Sequence, residues 1–229
     1  MTMLRMIDSL TPPDFAGAKA AAVDVVAGYA WREAGGTPWT RADWEAASGF
    51  TGVVPIWVPS QDPDSYTAEA GSELAAQALA TILPIPSDAA LTVDIEMGMW
   101  SANPTGVNDF LQAWVTTVQA VRPAGVYAPY DAFLDWPAVP VLAWIPDWIG
   151  GAWPADIDVS WLTLAEVVAW QFSNSVATPY GTVDYSVVDV SGTGRPSPAP
   201  PPSPARLIAQ GRRQAAQEIV TWISETYGV

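Results

Sequence analysis

The stretch LTVDIEMGMW, Leu91 to Trp100, decides how the chain is read. It is apolar and β-branched, yet it places two carboxylates, Asp94 and Glu96, one residue apart. On a strand, positions i and i+2 point to the same side, roughly 6–7 Å apart along the chain. Val93, Ile95 and Met97 form the alternate, apolar face. If the carboxylate side is buried, two like charges share a poor solvent, which is costly and is also what acid–base chemistry needs.

Seven further β-rich runs lie on either side of this one: LRMID, VDVVAGYAW, TGVVPIWV, AGVYAPY, PVLAWIPDW, VVAWQFSNS and TVDYSVVD. Helical spacing falls between several of them. DPDSYTAEAGSELAAQALATIL puts Tyr66, Ala70, Leu74, Ala78 and Ile82 on one face. VNDFLQAWVTTVQAV aligns Val107, Phe110, Leu111, Trp114, Val118 and Val121. Thr40, three residues before Asp43, predicts a capping box opening a helix. Strands alternating with helices predict a parallel sheet, and eight of them predict a closed β/α barrel of the TIM type. About 190 residues is short for that fold, so some outer helices should be reduced. The competing open, doubly wound sheet lacks its glycine-rich first turn.

In a barrel of this kind chemistry sits at the C-terminal ends of the strands. Those ends carry Asp8 on the first strand, Asp94 and Glu96 on the fourth, and Asp184 on the eighth. Asp62, Asp135 and Asp147 are read instead as caps or turn formers.

Composition narrows the chemistry. The 229 residues include no cysteine and no histidine, which excludes disulfides, thiolate nucleophiles, Cys/His zinc sites and Ser-His-Asp triads. The single lysine, Lys19, lies in AGAKAAAV without a phosphate-binding glycine pattern. Acids and bases must therefore be Asp and Glu. A net charge of −15 repels nucleic-acid phosphates and anionic headgroups, so neither is expected as a partner. No run reaches the roughly 20 apolar residues of a membrane span. The opening MTMLRMIDSL is interrupted by Asp8 before any signal-type apolar region forms, so synthesis without a secretion signal is the expectation. Thirteen tryptophans are many for this length. Most must be core, while some suit the apolar faces of sugars.

The chain changes character at SGTGRPSPAPPPSPAR, which cannot form ladders and reads as an extended spacer. The expected organisation is a barrel over 1–191, a Pro-rich linker over 192–205 and an amphipathic helix over 206–229. Arg195, Arg206, Arg212 and Arg213 face only Glu218 and Glu225 after residue 194, so the preceding part carries −17. Docking on its own domain, self-association and binding to an acidic partner all remain open for that helix.

MID near the start, TVDIEMG, VPVLAWIPDW, VAWQFSNS and GTVDYSVVD follow, in order and spacing, the pattern of the family 25 glycoside hydrolases, lysozyme-like muramidases. PIWVPSQ is closer to a related group of actinobacterial and phage-borne glycoside-hydrolase-like domains. The resemblance covers roughly residues 4 to 190. It implies an irregular barrel of five β/α units followed by three strands. It also implies cleavage of β-1,4 bonds in a peptidoglycan-like cell-wall polysaccharide, with no cofactor and no metal, and with retention of anomeric configuration. By position, Glu96 resembles the general acid, and Asp94 the residue that stabilises the oxocarbenium-like transition state or orients the N-acetyl group. Asp8 and Asp184 would hold the network and raise the acid's proton affinity. Trp57, Tyr127, Tyr130, Trp144 and Trp148 fall near strand ends as candidate sugar contacts, and Gln171, in the matched W-Q pair, as a cleft hydrogen-bonder. A wall-acting chain without a signal implies a phage or holin-type route. On strand three, IWVPSQ replaces the family's aromatic-rich segment. A glycan-binding or structural module that has lost hydrolysis is therefore the second reading, and an assembly domain bracing the final helix the third.

Overall fold

The structure is a computed structural model that describes residues 3–32, 38–81, 85, 88–133, 142–146 and 167–189. The expected linker and final helix, and residues 134–141 and 147–166, lie outside the described residues.

All eight runs form strands: β1 (Met3–Ser9), β2 (Val25–Arg32), β3 (Gly52–Val58), β4 (Leu91–Asp94), β5 (Ala124–Tyr127), β6 (Leu142–Pro146), β7 (Val167–Thr178) and β8 (Gly181–Asp189). They close into one barrel in sequence order. Strands β1 to β7 pair in parallel, whereas β8 runs antiparallel to both β7 and β1. An all-parallel sheet is thus corrected at its last strand. The cause is local: Pro179 and Tyr180 make a two-residue turn between Thr178 and Gly181, and so short a loop joins only antiparallel strands.

Five α-helices are described on the outside: α1 (Phe15–Ala20), α2 (Arg41–Ala47), α3 (Ala68–Thr81), α4 (Met97–Ala102) and α5 (Pro104–Gln119). The capping box at α2 is present: Asp43 N–H donates to Thr40 Oγ1 at 3.3 Å, and Thr40 N–H donates to Asp43 Oδ2 at 2.7 Å. Asn103 opens α5, accepting from Gly106 N–H at 3.0 Å and donating to the Pro63 carbonyl at 2.9 Å, with Pro104 as the first helical residue. Asp62 caps the short 3-10 helix Pro63–Ser65, as its turn-former reading requires.

Two apolar layers hold the fold. Inside the barrel lie Met6, Ala27, Val54, Ile56, Leu142, Trp144, Ala169 and Val188. Between sheet and helices lie Ile7, Val26, Trp57, Val93, Val126, Leu111, Trp114 and Phe172. The expected stripe on α5 is buried except Val121, which falls beyond the helix and is exposed. On α3 the buried stripe is Gly71, Ala75 and Ala78. It shifts from the expected one because Tyr66 precedes the helix and the helix backbone lies directly on α5. A Cβ on Gly71 would stand 2.2 Å from the Phe110 carbonyl oxygen. Gly28 allows the same closeness on β2, where Trp39 lies flat on the backbone and a Cβ would meet its ring at 2.3 Å.

Candidate active site

Strand direction and parity position the site. Inward side chains of β1 run Met6, Asp8, and those of β2 run Val25, Ala27, Tyr29, so both strands change from apolar to polar toward the upper rim. Strand β4 ends at Asp94. Its ladder continues one step, with Ile95 N–H donating to the Tyr127 carbonyl at 2.8 Å. Glu96 then follows in extended backbone (φ −68°, ψ 149°) at the N-terminal boundary of α4, where its side chain makes no capping bond. The alternation expected from LTVDIEMG therefore holds past the strand's end: Ile95 is buried on the outer side, and both carboxylates border the cavity.

Asp184 lies near the start of β8, not at its C-terminal end. Because β8 is antiparallel, that start sits at the same rim as the ends of the other strands, and the pairing register sets Asp184 directly opposite Asp8. Asp8, Asp94, Glu96 and Asp184 thus border one open cavity of about 190 Å³, together with Tyr29, Ile56, Tyr127, Trp144, Gln171, Asn174 and Ser175. No Lys or Arg is among these lining residues. Asp8 and Asp94 are 3% and 6% exposed, Asp184 is half-buried, and Glu96 is exposed at the mouth.

Gln171 ties the cavity floor together. Its Oε1 accepts from the Tyr127 hydroxyl at 2.6 Å. Its Nε2 donates to Asp184 Oδ2 at 2.8 Å and reaches Asp8 Oδ2 at 3.4 Å. Asp184 Oδ1 accepts from the Ser175 backbone N–H at 2.5 Å. Burial pushes the Asp8 carboxyl well above the usual aspartate range, and the charges of Asp184, Asp94 and Glu96 push it the same way, against the Gln171 hydrogen bond. Burial also raises Asp184, but its two donors pull it back. Burial and the nearby carboxylates raise the Tyr127 phenol, so it stays a neutral donor to Gln171. Such a cluster can keep a proton on one carboxyl while holding its neighbour ionised. Among the described residues no group of three or more His, Cys, Asp or Glu side chains is arranged to hold a metal ion.

The aromatic candidates fare differently. Tyr127 and Trp144 do line the cavity, but at 7% and 1% exposure they form its floor. Their rings meet edge to face at 5.1 Å, and Trp144 Nε1–H donates to Ser186 Oγ at 3.1 Å. Neither offers a bare face for a sugar, because side chains at mid-barrel depth are consumed in filling the interior. Trp57 is a correction: it points outward, lies stacked on Trp31 at 5.2 Å and belongs to the layer beneath the helices. Inward parity on β3 belongs to Val54, Ile56 and Val58. Trp148 and the side chain of Tyr130 lie outside the described residues. Tyr29, Ile56, Asn174 and Ser175 are the lining residues that sequence reasoning missed. Tyr29 had a usable signal, since it continues the Val25–Ala27 alternation to the strand's upper end.

No protein-family model matches the chain, and no curated protein matches it in sequence. Solved structures do match in fold. An uncharacterised protein from B. stearothermophilus superposes with a TM-score of 0.64 at 17% identity, over 83% of this chain and 98% of that one. A family 25 glycosyl hydrolase from Bacillus anthracis gives 0.54 at 14% identity, over 81% and 87%. The CTP1L endolysin gives 0.54 at 15% identity, over 80% of this chain and 65% of that one. The eight-stranded barrel described above is thus the fold of a family 25 glycosyl hydrolase and of an endolysin.

Proposed function

We propose that the chain is a glycosidase that cleaves β-1,4 linkages of peptidoglycan or a similar cell-wall polysaccharide by carboxylate acid–base chemistry. One observation carries the reading: distant parts of the chain deliver four carboxyls to one open cavity at the rim where barrels place their chemistry. The fold shared with a family 25 glycosyl hydrolase and an endolysin supports the substrate class.

The roles follow from depth. Glu96, at the mouth, is the carboxyl that an incoming glycosidic oxygen meets, and it donates the proton to the departing sugar. Asp94, two residues earlier and buried, faces the positive charge that develops at the anomeric carbon. Asp8 and Asp184, tied to Gln171, complete the floor beside it, hold the hydrogen-bond network and raise the proton affinity of the acid by like-charge proximity. Tyr130 and Trp148 stay as proposed sugar contacts. The barrel over 1–191 carries the activity, and the segment after it links the barrel to other parts or to further copies.

Glu96→Gln tests the assignment, because it keeps the shape and removes the proton. Release of new reducing ends from purified cell walls is expected to fall by roughly 10²–10⁴-fold with the thermal midpoint unchanged. Undiminished turnover by a folded variant removes Glu96 from the mechanism. Binding of the unaltered chain to walls without any new reducing ends selects the non-hydrolytic barrel instead.

A further inference from the structure

Asp8 and Asp184 stand directly opposite each other on antiparallel strands, where like charges repel. Their surroundings are unequal. Asp184 is gripped at both oxygens, by Gln171 Nε2 at 2.8 Å and by the Ser175 N–H at 2.5 Å. Asp8, more deeply buried, is met among the described residues by the same Gln171 nitrogen at the longer distance of 3.4 Å.

The Ser175 N–H is available because β7 bulges there. Ser173 pairs with Tyr185 and Val176 with Val183, so β7 spends one residue more than β8 across this step. Ser175 has φ +52°, a left-handed conformation that a residue with a side chain rarely adopts. That conformation turns its N–H out of the ladder and onto the carboxylate. The Ser175 N–H and the shorter Gln171 bond both favour Asp184 over Asp8 as the charged member. Asp94 from β4 and Glu96 before α4 raise the proton affinity of whatever lies near them. Tyr127 from β5 is a neutral phenol, Tyr29 from β2 lines the same cavity, and Trp144 from β6 does not titrate.

We propose that Ser175 is a positioning residue acting through its backbone N–H: the β7 bulge makes Asp184 the ionised member of the pair and leaves the proton on Asp8. As a statement about catalysis this rests on the glycosidase reading. As a statement about where the proton sits it does not, and the experiment reads the proton.

Carboxyl-carbon NMR titration of the full chain gives the midpoints of Asp8 and Asp184. Asp184 is expected to titrate below Asp8, and the Ser175 amide proton is expected to move with the Asp184 midpoint. Ser175→Pro, which lacks the N–H and cannot reach positive φ, should move the Asp184 midpoint up by about one pH unit. Ser175→Gly, which keeps the N–H and tolerates the conformation, should leave it in place. Three results overturn the proposal: Asp184 titrating above Asp8, a Ser175 amide proton that ignores Asp184, or a folded proline variant with unchanged midpoints. If the proline variant does not fold, the amide proton of the unaltered chain decides. A chain that shows this titration order but never cleaves a glycan loses the glycosidase reading and keeps this one.

Discussion

Asp8 holds its proton more tightly in the folded chain than out of it, first through burial and then through Asp184, Asp94 and Glu96. A carboxyl of that kind contributes stability that is fully present below its unfolded titration point and is lost as pH rises through its folded midpoint. Asp8→Asn keeps the neutral shape, so it should equal the parent at about pH 3 and exceed it at about pH 7. The expected gain is about 1.4 kcal/mol for each tenfold difference in proton affinity between the two states. Denaturant unfolding at both pH values checks this, and a variant less stable than the parent at the higher pH contradicts it. At this scale the sequence was informative where chemistry and strand ends coincide, and the structure sets Asp8, Asp94, Glu96, Asp184 and Gln171 around one cavity. It misplaced Trp57 because β3 is apolar on both faces, and a strand buried on both sides shows no alternation to read. Ser175 was invisible for a different reason: its conformation is imposed by the register of β7 on β8, and nothing in FSNSV encodes it.

Among the elements, the α3–α5 contact is the one most sensitive to a single atom. A Cβ on Gly71 would collide with the Phe110 backbone, which has no flexible side chain to move aside. Gly71→Ala should therefore destabilise the chain by about 1–3 kcal/mol, although alanine is the better helix former. Gly98 in α4 has nothing within 4 Å of its would-be Cβ, so Gly98→Ala should instead stabilise by up to about 1 kcal/mol. Thermal unfolding of the pair separates packing from propensity, and a stabilising Gly71→Ala would show that the two helices part freely. The existence of α3 and α5 and the α2 cap were readable from period and from Thr40–Asp43, whereas α1 and α4 carry no such signal. The stripe of α3 was not, because glycine and alanine buried by close backbone approach carry too little apolar signal. The direction of β8 was encoded only in the brevity of the Pro179–Tyr180 turn.

The whole molecule carries a net charge of −15, and much of its folding works against that self-repulsion. Raising ionic strength from about 0.01 M to about 0.15 M shortens the screening length from about 30 Å to about 8 Å. The thermal midpoint should rise over that range, and a salt-insensitive midpoint would mean that the acidic side chains are held apart or paired. Barrel closure itself was legible from eight spaced runs together with the missing glycine-rich first turn of the open alternative.

The reversed last strand has one more effect. Met3 pairs with Asp189, five residues along their strands from Asp8 and Asp184, about 16 Å from the carboxylates. Entry and exit of the barrel therefore share its base, at the opposite end from the rim that bears the four carboxyls.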